Sequence, residues 1–262
     1  VFLTLCAFTP RAHADVSEAE DLLRSGRLSI ALETLREHID DAPEDIAAHE
    51  LLIDILINIG QADMAAQTYG QRVLSDPGVA DSWYLMGRAI LDPRESARAY
   101  NEATRLQANH ARAWMGLGSI SRADGNLAGA EHAFGIALSH DTSLTEAWIG
   151  LWTVQLQRGA TDTAQETIAR AVENTPHSTE AWLAWSTMDR ENSITILQQA
   201  IATNPSDVDL HIALARTAFT EENMAVAATI YPAATQLAPE DNALRIEGAL
   251  VVDIAANKLD WT

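Results

Sequence analysis

Cysteine and lysine are nearly missing from this chain: Cys6 and Lys258 are the only ones among 262 residues. A lone thiol leaves no disulfide framework to organise a fold, and it fits a reducing compartment as well as an oxidising one. Basic residues are scarce altogether, 17 against 37 acidic, and the formal charge of −20 argues against nucleic acid as a partner. Acidity with so little lysine fits a saline habitat or a GC-rich genome equally. No apolar stretch approaches the ~20 residues of a membrane-spanning helix. Glycine and proline, 13 and 8 residues, are too few for a disordered chain, while an apolar content of 47% is ample for a continuous core.

What the chain does have is an internal repeat. Trp83, Trp114, Trp148 and Trp182 are spaced 31, 34 and 34 residues apart. Around the second of them the text reads Trp114-x2-Leu117-Gly118, then Ala130-x3-Phe134, then Ala137. That string resembles the tetratricopeptide repeat (TPR), a helix–turn–helix unit of about 34 residues that stacks into a solenoid. The resemblance implies an all-α fold, a right-handed superhelical α-solenoid of about seven units.

The frame extends beyond the tryptophans. The Trp position is filled in turn by His49, Trp83, Trp114, Trp148, Trp182, His211 and Arg245. Sixteen residues on in most repeats comes a small column, Ala31, Ala65, Ala130, Ala164 and Ala227, with Ser96 and Ser193 in the same slot of two shortened repeats, and four further a larger one, Leu35, Tyr69, Tyr100, Phe134, Ile168, Leu197 and Tyr231. Small residues let paired helices approach, and the bulky neighbour fills the groove between them. Helix ends are marked by Pro43, Pro77, Pro176, Pro205 and Pro239, with Ala108 and Thr142 as exceptions. Gly60, Gly125-Asn126 and Gly159 supply turns between paired helices. The expected units run over 15–45, 46–79, 80–110, 111–144, 145–178, 179–207 and 208–241. Two are short: Asp92-Pro93 is expected to cap and open a helix in one, and Asp189-Arg190-Glu191-Asn192 to form the turn of the other. Pro232, inside a helix, predicts a bend near Tyr231.

The first residues, Val1 to Phe8, are apolar and are followed by Ala12-His13-Ala14, which resembles the end of a secretory signal peptide lacking its basic region. Residues 1–14 are therefore expected to be a leader remnant cleaved after Ala14, for a periplasmic or secreted protein. Ser17-x-x-Glu20 then reads as a capping box. Residues 242–262 read as a capping helix or the start of a truncated eighth repeat, because Asn257-Lys258-Leu259 falls where Gly125-Asn126-Leu127 makes a turn.

No catalytic, cofactor or metal constellation is present. Gly116-Leu117-Gly118-Ser119 follows no strand and sits in the first helix of a repeat, so it is packing rather than a phosphate loop. No histidine pair has HxxxH spacing. His49 and His211 are expected in the core, His140 and His177 in solvent, and the Trp column as core filler.

In the TPR family the first helices line a concave surface that holds ligands, and the positions two before, and one, five and eight after, the Trp position point inward. Here the resemblance implies a groove of Tyr84, Arg88, Arg112, Met115, Arg122, Ile149, Leu156, Leu183, Arg190, Ile212, Arg216 and Phe219. Two readings stay open. The arginines anchor carboxylates of an extended peptide or a free C-terminus, or they pair with Asp81, Glu146, Glu180 and Asp209 of neighbouring repeats. Lys and Asn, which a chaperone-type carboxylate clamp uses, are absent from these positions.

The function expected on these grounds is a non-enzymatic scaffold for a protein or peptide partner, without cofactor, resembling the exported TPR proteins of envelope assembly and cytochrome c maturation. The alternatives are the TPR part of a larger enzyme or secretion component, or a self-associating solenoid; the sequence leaves the oligomeric state open.

Overall fold

A computed structural model describes residues 16–259, with side chains to Ala256. The described residues form helices and no strand. They fall into two compact units, one reaching to Leu117 and the other starting at Gly118, inside a helix. The leader-like segment and the cleavage expected after Ala14 lie outside the described residues.

The first unit contains α1 (Val16–Arg24), α2 (Leu28–Asp41), α3 (Ile46–Asn58), α4 (Ala62–Ser75), α5 (Ala80–Ala89), α6 (Pro93–Leu106) and the start of α7 (Ala111–Ala123). The second holds the rest of α7, then α8 (Leu127–His140), α9 (Thr145–Gln157), α10 (Thr161–Asn174), α11 (Thr179–Met188), a 3₁₀ turn (Arg190–Asn192), α12 (Ser193–Thr203), α13 (Val208–Thr220), α14 (Met224–Leu237) and α15 (Asn242–Leu259). Within each unit consecutive helices pack on one another, as short connections require. Gly26, Gly60, Gly125 and Gly159 make the turns inside four pairs with φ of 73–78°, where a side chain would be strained.

Helix starts follow local chemistry. Asp45, Asn126, Ser178, Asp207 and Asn223 each accept a backbone N–H three residues on, and Asp92 accepts from Arg94 and Glu95 with Pro93 at the first helical position. His110 caps α7 in the same way through Nδ1, 3.1 Å from the amide of Ala113, while its Nε2 lies 3.0 Å from Asp81. That hydrogen bond holds the Asp81 carboxyl below its ordinary range. Ser17 is not the N-cap that the expected capping box requires, since α1 already includes Val16 and Ser17 lies in its first turn.

Of the tryptophan column only Trp148 and Trp182 are buried; Trp83 and Trp114 are half-buried, so core filling does not account for the column. Each indole Nε1 donates to the carbonyl six residues earlier, at the end of the preceding pair: Trp83 to Pro77, Trp114 to Ala108, Trp148 to Thr142 and Trp182 to Pro176, all at 2.8–2.9 Å. The bond requires a carbonyl and not a proline, which explains why Ala108 and Thr142 are tolerated. His49 keeps the spacing, with Nε2 3.0 Å from the Pro43 carbonyl. His211 turns instead to Asp207, 2.7 Å from Nδ1.

The aromatic column wedges between first helices. Tyr100 lies against Gly87 of α5 and Gly116 of α7, and Phe134 against Gly118 of α7 and Gly150 of α9, so close that a Cβ at any of the four would fall 2.4–2.8 Å from the ring. Gly118 is a packing residue.

α14 spans Met224 to Leu237 with Pro232 inside it, the proline exposed. One expectation of local shape is changed: α15 stays helical through Leu259, where the repeat frame places a turn; no glycine stands there to take the positive φ that Gly125 supplies. Ile246, Leu250 and Val252 of α15 are exposed.

Candidate partner-binding faces

Positions one and five after the Trp position become neighbours on successive first helices. In the first unit these are Glu50 and Asp54 on α3, Tyr84 and Arg88 on α5. The Tyr84 hydroxyl donates to Glu50, Arg88 Nη2 lies 2.6 Å from Asp54, and Arg112 Nη1 on α7 reaches the other Glu50 oxygen at 2.5 Å. Tyr84 is only 1% exposed and presents no surface. Burial, with the adjacent Glu50 carboxylate, pushes its phenol well above the ordinary range, so it remains a protonated donor. Met115 is half-buried. Glu50 and Asp54 escape a sequence reading that starts at Trp83; His49 in the Trp position was the signal that the same stripe begins one repeat earlier.

In the second unit Arg216 forms a two-pronged pair with Glu247 of α15, both contacts at 3.2 Å, and the Tyr231 hydroxyl reaches the same carboxylate at 3.4 Å. Phe219 is 38% exposed and shares a cleft of about 380 Å³ with Arg216, Tyr231, Glu247, Leu250 and Val251. Ile149, Leu156, Leu183 and Ile212 are half-buried. Arg122 and Arg190 are exposed and in no ion pair among the described residues.

The expected internal pairing is thereby corrected. Three of the five arginines are paired, but with Asp54, Glu50 and Glu247. Asp81 is taken by His110, while Glu146, Glu180 and Asp209 are outside any ion pair among the described residues. Arg88 meets Asp54 because equivalent positions of adjacent first helices stand side by side, whereas Arg112 reaches back two repeats to Glu50 and Arg216 reaches Glu247 at a different position of the next first helix.

Beside the first unit's face lies a buried polar hub. Arg72 on α4 contacts His49 Nε2 at 2.9 Å, the Pro43 carbonyl at 2.8 Å and Ser82 Oγ at 3.3 Å. Tyr69 Oη lies 3.0 Å from His49 Nδ1 and 3.3 Å from the His49 carbonyl. A guanidinium only donates and a carbonyl only accepts, so Nε2 serves one of its two neighbours, Arg72 or Pro43, at a time, and the Tyr69 hydroxyl can donate to or accept from Nδ1 to match. Burial lowers the His49 pKa, and the Arg72 charge lowers it further. Because the folded value lies below the unfolded value of about 6.5, the unfolded chain binds the extra proton first. Stability is therefore expected to be full above that pH and to fall as pH drops towards the folded value. Urea unfolding at pH 7.5 and 5.5 should show a larger loss for the wild type than for His49→Gln; equal losses would remove His49 as the source. His140 and His177 are exposed, the latter 2.9 Å from Asn204.

Among the described residues no three His, Cys, Asp or Glu side chains are grouped to hold a metal ion, and no helix is long and apolar enough to cross a membrane.

Paired helices, small and aromatic columns and a ring N–H joining each pair to the next define an α-solenoid built of helical hairpins. A tetratricopeptide repeat model matches residues 16–82, 88–139 and 179–242, well over half of the chain, and the chain belongs to that family. Among solved structures, TTC0263, a thermophilic TPR protein of Thermus thermophilus, is 18% identical with a TM-score of 0.53, over 66% of this chain and 96% of that one. Yeast Tom70 is 14% identical with a TM-score of 0.65, over 94% of this chain; the chain spans about half, 53%, of Tom70's length. These likenesses concern the fold. No curated protein matches the sequence. TPR proteins act generally as protein-interaction scaffolds.

Proposed function

We propose that this protein is a non-enzymatic scaffold that binds a partner protein along the first-helix face of its second unit, and that it works outside the cytoplasm, in envelope assembly or cytochrome c maturation. The observation that carries the binding face is the contrast between the units. The inner positions of the first unit bond to one another through Glu50 and Asp54. Those of the second present half-buried Ile149, Leu156, Leu183 and Ile212 beside exposed Phe219. Apolar side chains flanked by exposed polar ones suit a partner's extended segment or helix. The extracytoplasmic setting is supported by the leader-like residues before Asp15.

Capture from separate periplasmic and cytosolic extracts tests both parts. The full chain is expected to retain a partner from the periplasmic extract, and the Leu156→Glu/Phe219→Glu variant, folded by circular dichroism, to retain at least tenfold less. Equal retention by both would overturn the face, and a partner found only in the cytosolic extract would overturn the location.

A further inference from the structure

We infer that the second unit's face recognises an extended acidic segment of its partner, one that places two carboxylates on Arg122 and Arg190. This deepens the scaffold reading and rests on it. The five inner arginines are not equivalent: Arg88, Arg112 and Arg216 are engaged by Asp54, Glu50 and Glu247, whereas Arg122 and Arg190 are exposed and in no ion pair among the described residues. Both stand eight residues after a tryptophan, two repeats apart, with Leu156 at the same position between them.

That position belongs to the first-helix face. Phe219, its counterpart in the next repeat, shares a cleft with Arg216 and Leu250, which both stand at the five-after position. Successive first helices adjoin in this unit, α9 beside α11 and α11 beside α13, and α7 and α9 both close on Phe134. Arg122 lies in the last turn of α7, and Arg190 opens the 3₁₀ turn that follows the end of α11 at Met188, so both residues stand at the C-terminal ends of first helices.

The charge argument comes from the rest of the chain. With 37 acidic and 17 basic residues, an arginine has many carboxylates available. Glu146 and Glu180, on the first helices of the same unit, are exposed and in no ion pair among the described residues, so neither has closed on Arg122 or Arg190. Two free guanidiniums flanking an apolar side chain are complementary to a segment of acidic–apolar–acidic character. Neighbouring helices pack about 10 Å apart, so two repeats span roughly 20 Å, or about six residues of extended chain at ~3.3 Å each.

Fluorescein-labelled twelve-residue peptides of alternating Leu and Ser provide the probe: one with two Glu six residues apart, one with two Glu adjacent, one with both Glu replaced by Gln. The full chain is expected to bind the first on the order of tenfold or more tightly than the other two, with the preference fading as salt rises. Arg122→Gln/Arg190→Gln, both exposed and so expected to fold unchanged, should bind all three alike. Retention of the preference by that variant overturns the inference, as does equal binding of the three peptides by the wild type. If equal binding is also lost in Leu156→Glu, the apolar face stands without the arginines. No binding of any peptide overturns the acidic-segment inference and leaves the scaffold reading to the capture experiment.

Discussion

Trp148→Ala is expected to destabilise the second unit by about 3–5 kcal/mol, the usual cost of removing a large aromatic side chain from a core. For a unit of this size that is on the order of 10 °C in thermal midpoint. Trp148 is 2% exposed, with the Arg170 guanidinium 5.2 Å from its ring centre and Nε1 2.9 Å from the Thr142 carbonyl. The sharper test is Trp148→Phe, which retains much of the apolar bulk and removes the donor. It should cost about 1–3 kcal/mol, because the Thr142 carbonyl loses its partner where the chain passes from α8 to α9. Far-ultraviolet circular dichroism in guanidinium gives both values without using the tryptophan as reporter. A phenylalanine variant as stable as the wild type would return the column to a purely space-filling role.

Periodicity carried most of the fold because packing in a repeat protein is local: each helix pair packs chiefly on its neighbours, so the same contacts recur at one spacing. The Ala and aromatic columns, the Asp92-Pro93 helix start and the turn at Asp189–Asn192 are all visible in the residues themselves. Hydrogen bonds across the repeat were not, since a column of tryptophans records bulk but not the direction of an N–H. The binding face was readable only as a set of positions. Which arginine is consumed by which acid depends on which helices stand side by side, and Glu50 and Asp54 took Arg112 and Arg88 although neither acid was among the expected partners. His110 went unnoticed because histidine is an uncommon helix cap, and its role emerges only with Asp81 fixing one ring nitrogen.

Gly150→Val is expected to cost about 3 kcal/mol or more, while Gly135→Ala, on the neighbouring helix, is expected to stabilise by up to ~1 kcal/mol. The intrinsic helix preference favours replacing glycine at both sites. Space decides the sign. A Cβ at Gly135 meets nothing within 4 Å, whereas one at Gly150 would stand 2.4 Å from Phe134 Cζ. The ring has no retreat: it is 1% exposed, and a Cβ on its other side, at Gly118, would already lie 2.8 Å away. The added methyls must push α9 off α8 or force the ring from its rotamer, and overpacking of this kind typically costs about 1–3 kcal/mol for smaller insertions. If the ring is the obstacle, Gly150→Val and Phe134→Ala should be non-additive, the double variant losing at least about 1 kcal/mol less than the two single losses combined. Denaturant unfolding of the four proteins measures that coupling. Additive losses, or a Gly150→Ala variant stabilised as much as Gly135→Ala, would mean that the clamp on Phe134 does not set the spacing of the first helices.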